Sequence, residues 1–289
     1  MAFLVDSPPV VPPVGRCIYC DATARTGRLT KEHVIPKLLA GNLTLRKASC
    51  DACAAITRAF EGYVGRRVFQ DVRLQHGFPM TERPSLLPML DRFAPSPREA
   101  KARLVPTADH PGVVYMLNPE PAGMLTGKDP QKEFNGVQFF SFITPDHEQR
   151  VMRLKQQGLP TLLYREMEID YLFRFIAKIA LGIGVMVCGV DGFNATVIRR
   201  VIKKEIPNWH HFVGGTTEEM DEFPPPTGKN VLHRFVAYSR LINGVLHLIV
   251  QIQLLTYLNT PIYTVVVGPL NEIGISGLNQ GDTAILAKG

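Results

Sequence analysis

Two cysteine pairs, Cys17-x-x-Cys20 and Cys50-x-x-Cys53, constrain this chain more than any other feature. Each pair sets two thiols around one point, and the 29 residues between them (21–49) are enough to fold back and bring the pairs together. Four thiolates at this spacing read as one tetrahedral zinc site. With four protein ligands the ion has no open position, so it is expected to be structural, replacing a core that roughly 60 residues cannot easily build. A redox dithiol would not need two pairs, and neither pair precedes a thioredoxin-like βαβ pattern. Disulfides are disfavoured too. The opening MAFLVDSPPVVPP has no basic n-region and its apolar residues are broken by prolines, so no secretory signal is read and a cytoplasmic location is expected.

Charge is concentrated in the same region. The 289 residues hold 32 Lys and Arg against 26 Asp and Glu, but residues 1–75 hold 11 basic and 6 acidic ones, so +5 of the net +6 falls there. Such a concentration points to a polyanionic partner, with a solvated basic surface as the plainer alternative. Hydrophobic content of 45% excludes wholesale disorder. The most apolar stretch, Phe175 to Val190, carries Lys178 and several glycines, which fits a buried helix better than a membrane span, and no membrane association is expected.

The punctuation of the chain gives four segments. Residues 1–15, with Pro8, Pro9, Pro12 and Pro13, read as an extended leader, and 16–75 as the metal-stapled unit. Residues 76–110 form a proline-rich connection (Pro79, Pro84, Pro88, Pro95, Pro97) that prevents a continuous helix or inner strand. Residues 111–289 read as a mixed α/β domain. In it VVYML and VQFFSFI are strand-like, with Phe139, Phe140 and Phe142 expected inside. Leu162 to Val187 is the strongest helical segment, spaced by Tyr164, Met167, Tyr171 and Phe175, and Arg199 to Glu205 belongs to a second helix. RFVAYSRLI, GVLHLIVQIQLL and PIYTVVVG form a C-terminal antiparallel strand cluster, with Asn243-Gly244 a tight turn between the first two. Cys188 and the Trp209-His210-His211 run are read as structural.

Between the cysteine pairs lie Lys31-Glu32-His33-Val34-Ile35-Pro36 and Gly41-Asn42-Leu43. In order, the chain reads CIYC, EHVIP, GNL, KASCDAC, AIT and AFE. This succession resembles the HNH endonuclease family over roughly residues 16–65, in particular its zinc-knuckle subgroup. The resemblance implies an α+β protein, with an N-terminal zinc-stapled ββα-metal module and a larger mixed α/β domain. It also implies hydrolysis of DNA phosphodiester bonds with a divalent metal, Mg²⁺ or Mn²⁺.

On this resemblance His33 takes the catalytic position, where a neutral imidazole removes a proton from water. A histidine satisfied by a backbone carbonyl is the alternative. Glu32 takes the acidic position that can ligate the metal, although alternation along a regular strand sends Glu32 and His33 to opposite faces. Asn42 either braces the hairpin or supplies its turn. The residue after the last cysteine, often Asn or His in the family, is here Ala54, which ligates nothing. Thr57 and Glu61 share a helical face at i, i+4 and are candidate replacement ligands, with Ile56, Phe60 and Val64 on the core side. Glu61 paired to Arg58 or Arg66 is the alternative.

Arg28, Lys31, Lys37, Arg46, Lys47, Arg58, Arg66 and Arg67, with Arg25 and Arg73 in the wider set, are candidate phosphate contacts. The expected partner is DNA, with RNA left open, as is self-association through the C-terminal domain. Two competing readings stand beside the endonuclease: a non-catalytic nucleic-acid binder, favoured by Ala54, and a protein-binding zinc ribbon.

Overall fold

The computed structural model describes residues 2–5, 11–80, 83–90, 102–129, 136–143, 146–159, 167–216, 231–279 and 283–288. The chain starts with β1 (Ala2–Val5) and reaches the cysteine segment, which folds as β2 (Leu29–His33), β3 (Thr44–Cys50) and α1 (Asp51–Arg67). α2 (Gln70–Gln75) closes it. The proline-rich stretch contributes the hairpin of β4 (Leu86–Leu90) and β5 (Ala102–Pro106). Pro88 is accommodated because β4 has one partner only, so its missing N–H breaks no second ladder.

β6 (Val113–Pro119), α3 (Gly123–Thr126), β7 (Val137–Ile143) and α4 (His147–Gln156) follow. Next come α5 (Ile169–Cys188), α6 (Thr196–Lys203) and β8 (Val213–Gly215). The chain continues through β9 (Val231–Ile242), β10 (Val245–Leu254), β11 (Ile262–Pro269), α7 (Glu272–Asn279) and β12 (Thr283–Lys288). The architecture is α+β, as expected, with an antiparallel C-terminal strand cluster. The main sheet runs β1-β12-β9-β10-β11-β8 and is antiparallel except for β1 against β12. Asn243 (φ 50°) and Gly244 (φ 80°) join β9 to β10 in the left-handed conformations that a two-residue hairpin turn demands.

α5 is the axis of the molecule. One continuous buried cluster takes Phe173, Ile176, Ala180 and Ile183 from α5, Phe60 and Val64 from α1, and Phe235, Ile252 and Val265 from the sheet. α5 is also the one helix among the described residues long and apolar enough to cross a membrane, and most of it is buried in this core. It starts at Ile169, and residues 162–166 of the expected segment lie outside the described residues.

Two expectations change. Phe139 and Phe140 are 60% and 39% exposed, because among the described residues β7 pairs with β6 alone, while β6 buries Val114 and Met116. Phe139 stacks on Tyr115 instead, at 5.1 Å between ring centres. On α1, Thr57 joins Phe60 and Val64 inside, and Ile56 is only half-buried.

The rest of the chain grips the cysteine segment through polar contacts. Arg199 Nε donates to the Ile18 carbonyl at 2.7 Å and its guanidinium pairs with Asp21, which fixes α6 to the first knuckle. His233, fully buried on β9, lies with Nε2 2.9 Å from the Leu39 carbonyl and accepts the Leu255 N–H at Nδ1. Burial holds it neutral and pushes its pKa down to about 4, against an unfolded value near 6.5. Because the folded value is depressed, the neutral form favours the native state. Its contribution is therefore complete above about pH 6.5 and disappears as pH falls toward 4. Between pH 7 and pH 5 we expect a loss of about 2 kcal/mol, measured as a fall in the urea midpoint, and a shallower pH slope in His233→Gln. An unchanged slope in that variant would reject the assignment.

Candidate functional site

The knuckles meet. The four sulfurs of Cys17, Cys20, Cys50 and Cys53 lie within 4.8 Å of one another, with Cys20 and Cys50 Sγ 3.7 Å apart. Sulfurs at the corners of a tetrahedron around zinc, with Zn–S near 2.3 Å, are about 3.8 Å apart, so the donor set fits the ion. The turn that presents Cys17 and Cys20 closes with the Asp21 N–H on the Cys17 carbonyl, and it is tied to β3 by the Ile18 N–H on the Ala48 carbonyl. Cys50 ends β3 and Cys53 sits in the first turn of α1. Strand, helix and knuckle thus meet at one corner.

β2 and β3 pair with Thr30 opposite Ser49 and Glu32 opposite Leu45, so Lys31 faces three residues. The excess is taken up at Lys47 (φ 50°), a bulge that bends the hairpin. Glu32 is buried and His33 is half-exposed, the alternation a strand imposes. Gly41 is needed beyond the strand, since a Cβ there would lie 2.1 Å from the Ile35 carbonyl oxygen.

Glu32 and Glu61 do converge, but on a group that sequence reasoning noted only as a charge in an apolar helix. Lys178, fully buried on α5, places Nζ 2.8 Å from Oε1 of Glu32 and 2.8 Å from Oε1 of Glu61. The same ammonium donates to the carbonyls of His33 and, at 3.3 Å, Val34. Burial alone would lower the lysine's pKa, but the two carboxylates overcome this and hold it above its ordinary value. One ammonium between two carboxylates leaves a net negative charge, and burial raises the pKa of Glu61 in spite of Lys178. Tyr19, buried against the same carboxylates, is pushed well up by burial and by their charge. Thr57 does not join them: its hydroxyl donates to the Ala54 carbonyl within α1. As arranged, Glu32, Glu61 and Thr57 do not offer an open cation site.

His33 is differently placed. Desolvation, then the charges of Lys31, Lys178 and Lys37, depress its pKa below 6.5, which favours the neutral imidazole at pH 7, and Nδ1 is buried with no hydrogen-bond partner among the described residues. Arg28, Lys31, Lys37, Arg46, Lys47, Arg58, Arg66 and Arg67 are all exposed on this segment, as is Asn42. Arg73 leaves the set, since it is buried and donates to the carbonyls of Gly65 and Pro79. Trp209 is buried with its ring 4.0 Å from Phe173, and Cys188 is buried, so both are structural.

No curated protein and no solved structure shows significant similarity to the chain. A family model does: the one described as HNH endonuclease matches residues 17–61. That span runs from the first cysteine of the cluster to Glu61, and the clustered thiols and the β2-β3-α1 order agree with the similarity of this segment to a zinc-knuckle HNH module.

Proposed function

We propose that the chain is an endonuclease that hydrolyses DNA phosphodiester bonds at His33. The observation that carries this reading is His33 itself, a half-exposed, neutral imidazole on the HNH hairpin beside exposed lysines. A neutral imidazole of depressed pKa accepts the proton of an attacking water at physiological pH. Lys31 and Lys37 supply positive charge next to it for the phosphate, and the arginines of α1 and β3 hold the backbone without reading sequence. Mg²⁺ or Mn²⁺ would supply further charge on the phosphate, as the family pattern implies, but Glu32, Glu61 and Thr57 as arranged do not fit it.

The test is plasmid cleavage by zinc-loaded protein, with and without Mg²⁺ or Mn²⁺. His33→Ala should lower the rate by about 10²–10⁴-fold with zinc content and melting temperature unchanged. The acid limb of the pH profile should fall below pH 6.5, since only the protonated imidazole is inactive. Retained cleavage in His33→Ala would reject the role. A second reading, a nucleic-acid binder that does not cut, is favoured by Ala54 and by the closed Glu32–Lys178–Glu61 cluster. It predicts salt-sensitive DNA binding with no cleavage under any metal.

A further inference from the structure

Lys178 is surrounded as a metal ion would be. Four oxygens meet its ammonium: Oε1 of Glu32 and of Glu61, each at 2.8 Å, and the carbonyls of His33 and Val34. Carboxylate and carbonyl oxygens are the donors preferred by hard divalent cations such as Mg²⁺ and Mn²⁺. Here they surround an ammonium, which donates to the two carbonyls and is ion-paired to the two carboxylates.

We propose that Lys178 is the resident cation of the HNH module, built into the chain in place of a divalent ion, and that Glu32 and Glu61 take up no Mg²⁺ or Mn²⁺ while it is present. The surroundings support this from three directions. Ala54 contributes no ligand, and the Thr57 hydroxyl is turned to its own helix. The lysine is also buried against the hairpin. It lies mid-helix in the central core, and one turn on, Gly182 brings α5 so close that a Cβ would sit 2.9 Å from the Val34 side chain. Finally, a divalent ion sharing these carboxylates would sit a few ångströms from a buried ammonium, where repulsion is weakly screened. The same contacts give the cluster a second role. Lys178 ties the hairpin and α1 to α5, so the charge that closes the site also couples the HNH module to the rest of the molecule.

Which cation holds the carboxylates can be measured without reading cleavage. Zinc-loaded, full-length protein is titrated with Mn²⁺, and free Mn²⁺ is followed by electron paramagnetic resonance. Wild type and Glu61→Gln should give the same isotherm. Lys178→Ala should gain one bound equivalent and a higher melting temperature in Mn²⁺, and adding Glu61→Gln should weaken that binding at least tenfold. The proposal is overturned if wild type binds an equivalent that Glu61→Gln loses, or if folded, zinc-replete Lys178→Ala binds none. Should Lys178→Ala fail to fold, the comparison of wild type with Glu61→Gln decides alone: an unchanged isotherm upholds the proposal and a lost equivalent overturns it.

Discussion

Removing the zinc, by chelation or by Cys53→Ser, is expected to unfold the HNH module and to destabilise the whole chain. Burial pushes the Cys17 thiol up to about 11 and the Cys53 thiol higher still, so without a cation these groups stay protonated and the corner loses the charge that holds it. Structural zinc contributes about 10–16 kcal/mol in small modules, as much as or more than the roughly 5–15 kcal/mol by which a domain is stable. The loss does not stop at residue 67. Phe60 and Val64 of α1 belong to the same buried cluster as Phe173 and Ile176 of α5, and Arg199 holds the Ile18 carbonyl from α6. Circular dichroism with metal analysis should therefore show loss of helix beyond α1, restored by Zn²⁺ and not by Mg²⁺. A chelated protein that melts at the wild-type temperature would show that the cysteines hold nothing the fold needs.

What the sequence made legible is what local spacing encodes. The cysteine pairs and the Asn243-Gly244 turn are each set by residues a few positions apart, the β2-β3-α1 order was implied by the resemblance of the motif succession, and each is present in the structure. The C-terminal strands were legible for a related reason, as apolar runs separated by the turn residues Asn243-Gly244 and Asn259-Thr260-Pro261, and β10 is buried along most of its length. Lys178 was not. Its partners are Glu32 and Glu61, more than a hundred positions away, and periodicity carries no information on which helix lies across a distant hairpin. The single charge in the apolar stretch from Phe175 to Val190 was the available signal: an unpaired lysine cannot be fully buried, so carboxylates had to be waiting for it. β7 failed in the opposite direction. Its Val and Phe content reads as an inner strand, but burial depends on what covers a strand, and β7 has one neighbour. Thr57 illustrates a third limit, since helical phase places it beside Glu61 but does not reveal that its hydroxyl turns back to Ala54.

Lys178→Met should be the most damaging single substitution outside the zinc site. Removing one partner of a buried ion pair costs about 3–5 kcal/mol, because the other charge is left buried without compensation. Here two carboxylates are stranded together, so the upper part of that range is expected, a fall of roughly 10 °C or more in melting temperature for a chain of this size. The triple variant Lys178→Met/Glu32→Gln/Glu61→Gln removes charge from both sides and should recover much of the loss, whereas a lysine that merely filled space would leave it as damaged as the single variant. The two also differ in their dependence on pH. Burial already raises the Glu61 pKa, and without the ammonium it rises further. A carboxyl whose folded pKa lies above its unfolded one favours the native state when protonated, so its penalty grows as pH rises through that value and shrinks as pH falls. The deficit of Lys178→Met relative to wild type should accordingly narrow between pH 7 and pH 5, while that of the triple variant stays level. A deficit that does not change with pH would mean that the variant is weakened by altered shape alone, and that Lys178 holds no carboxylate in its charged form.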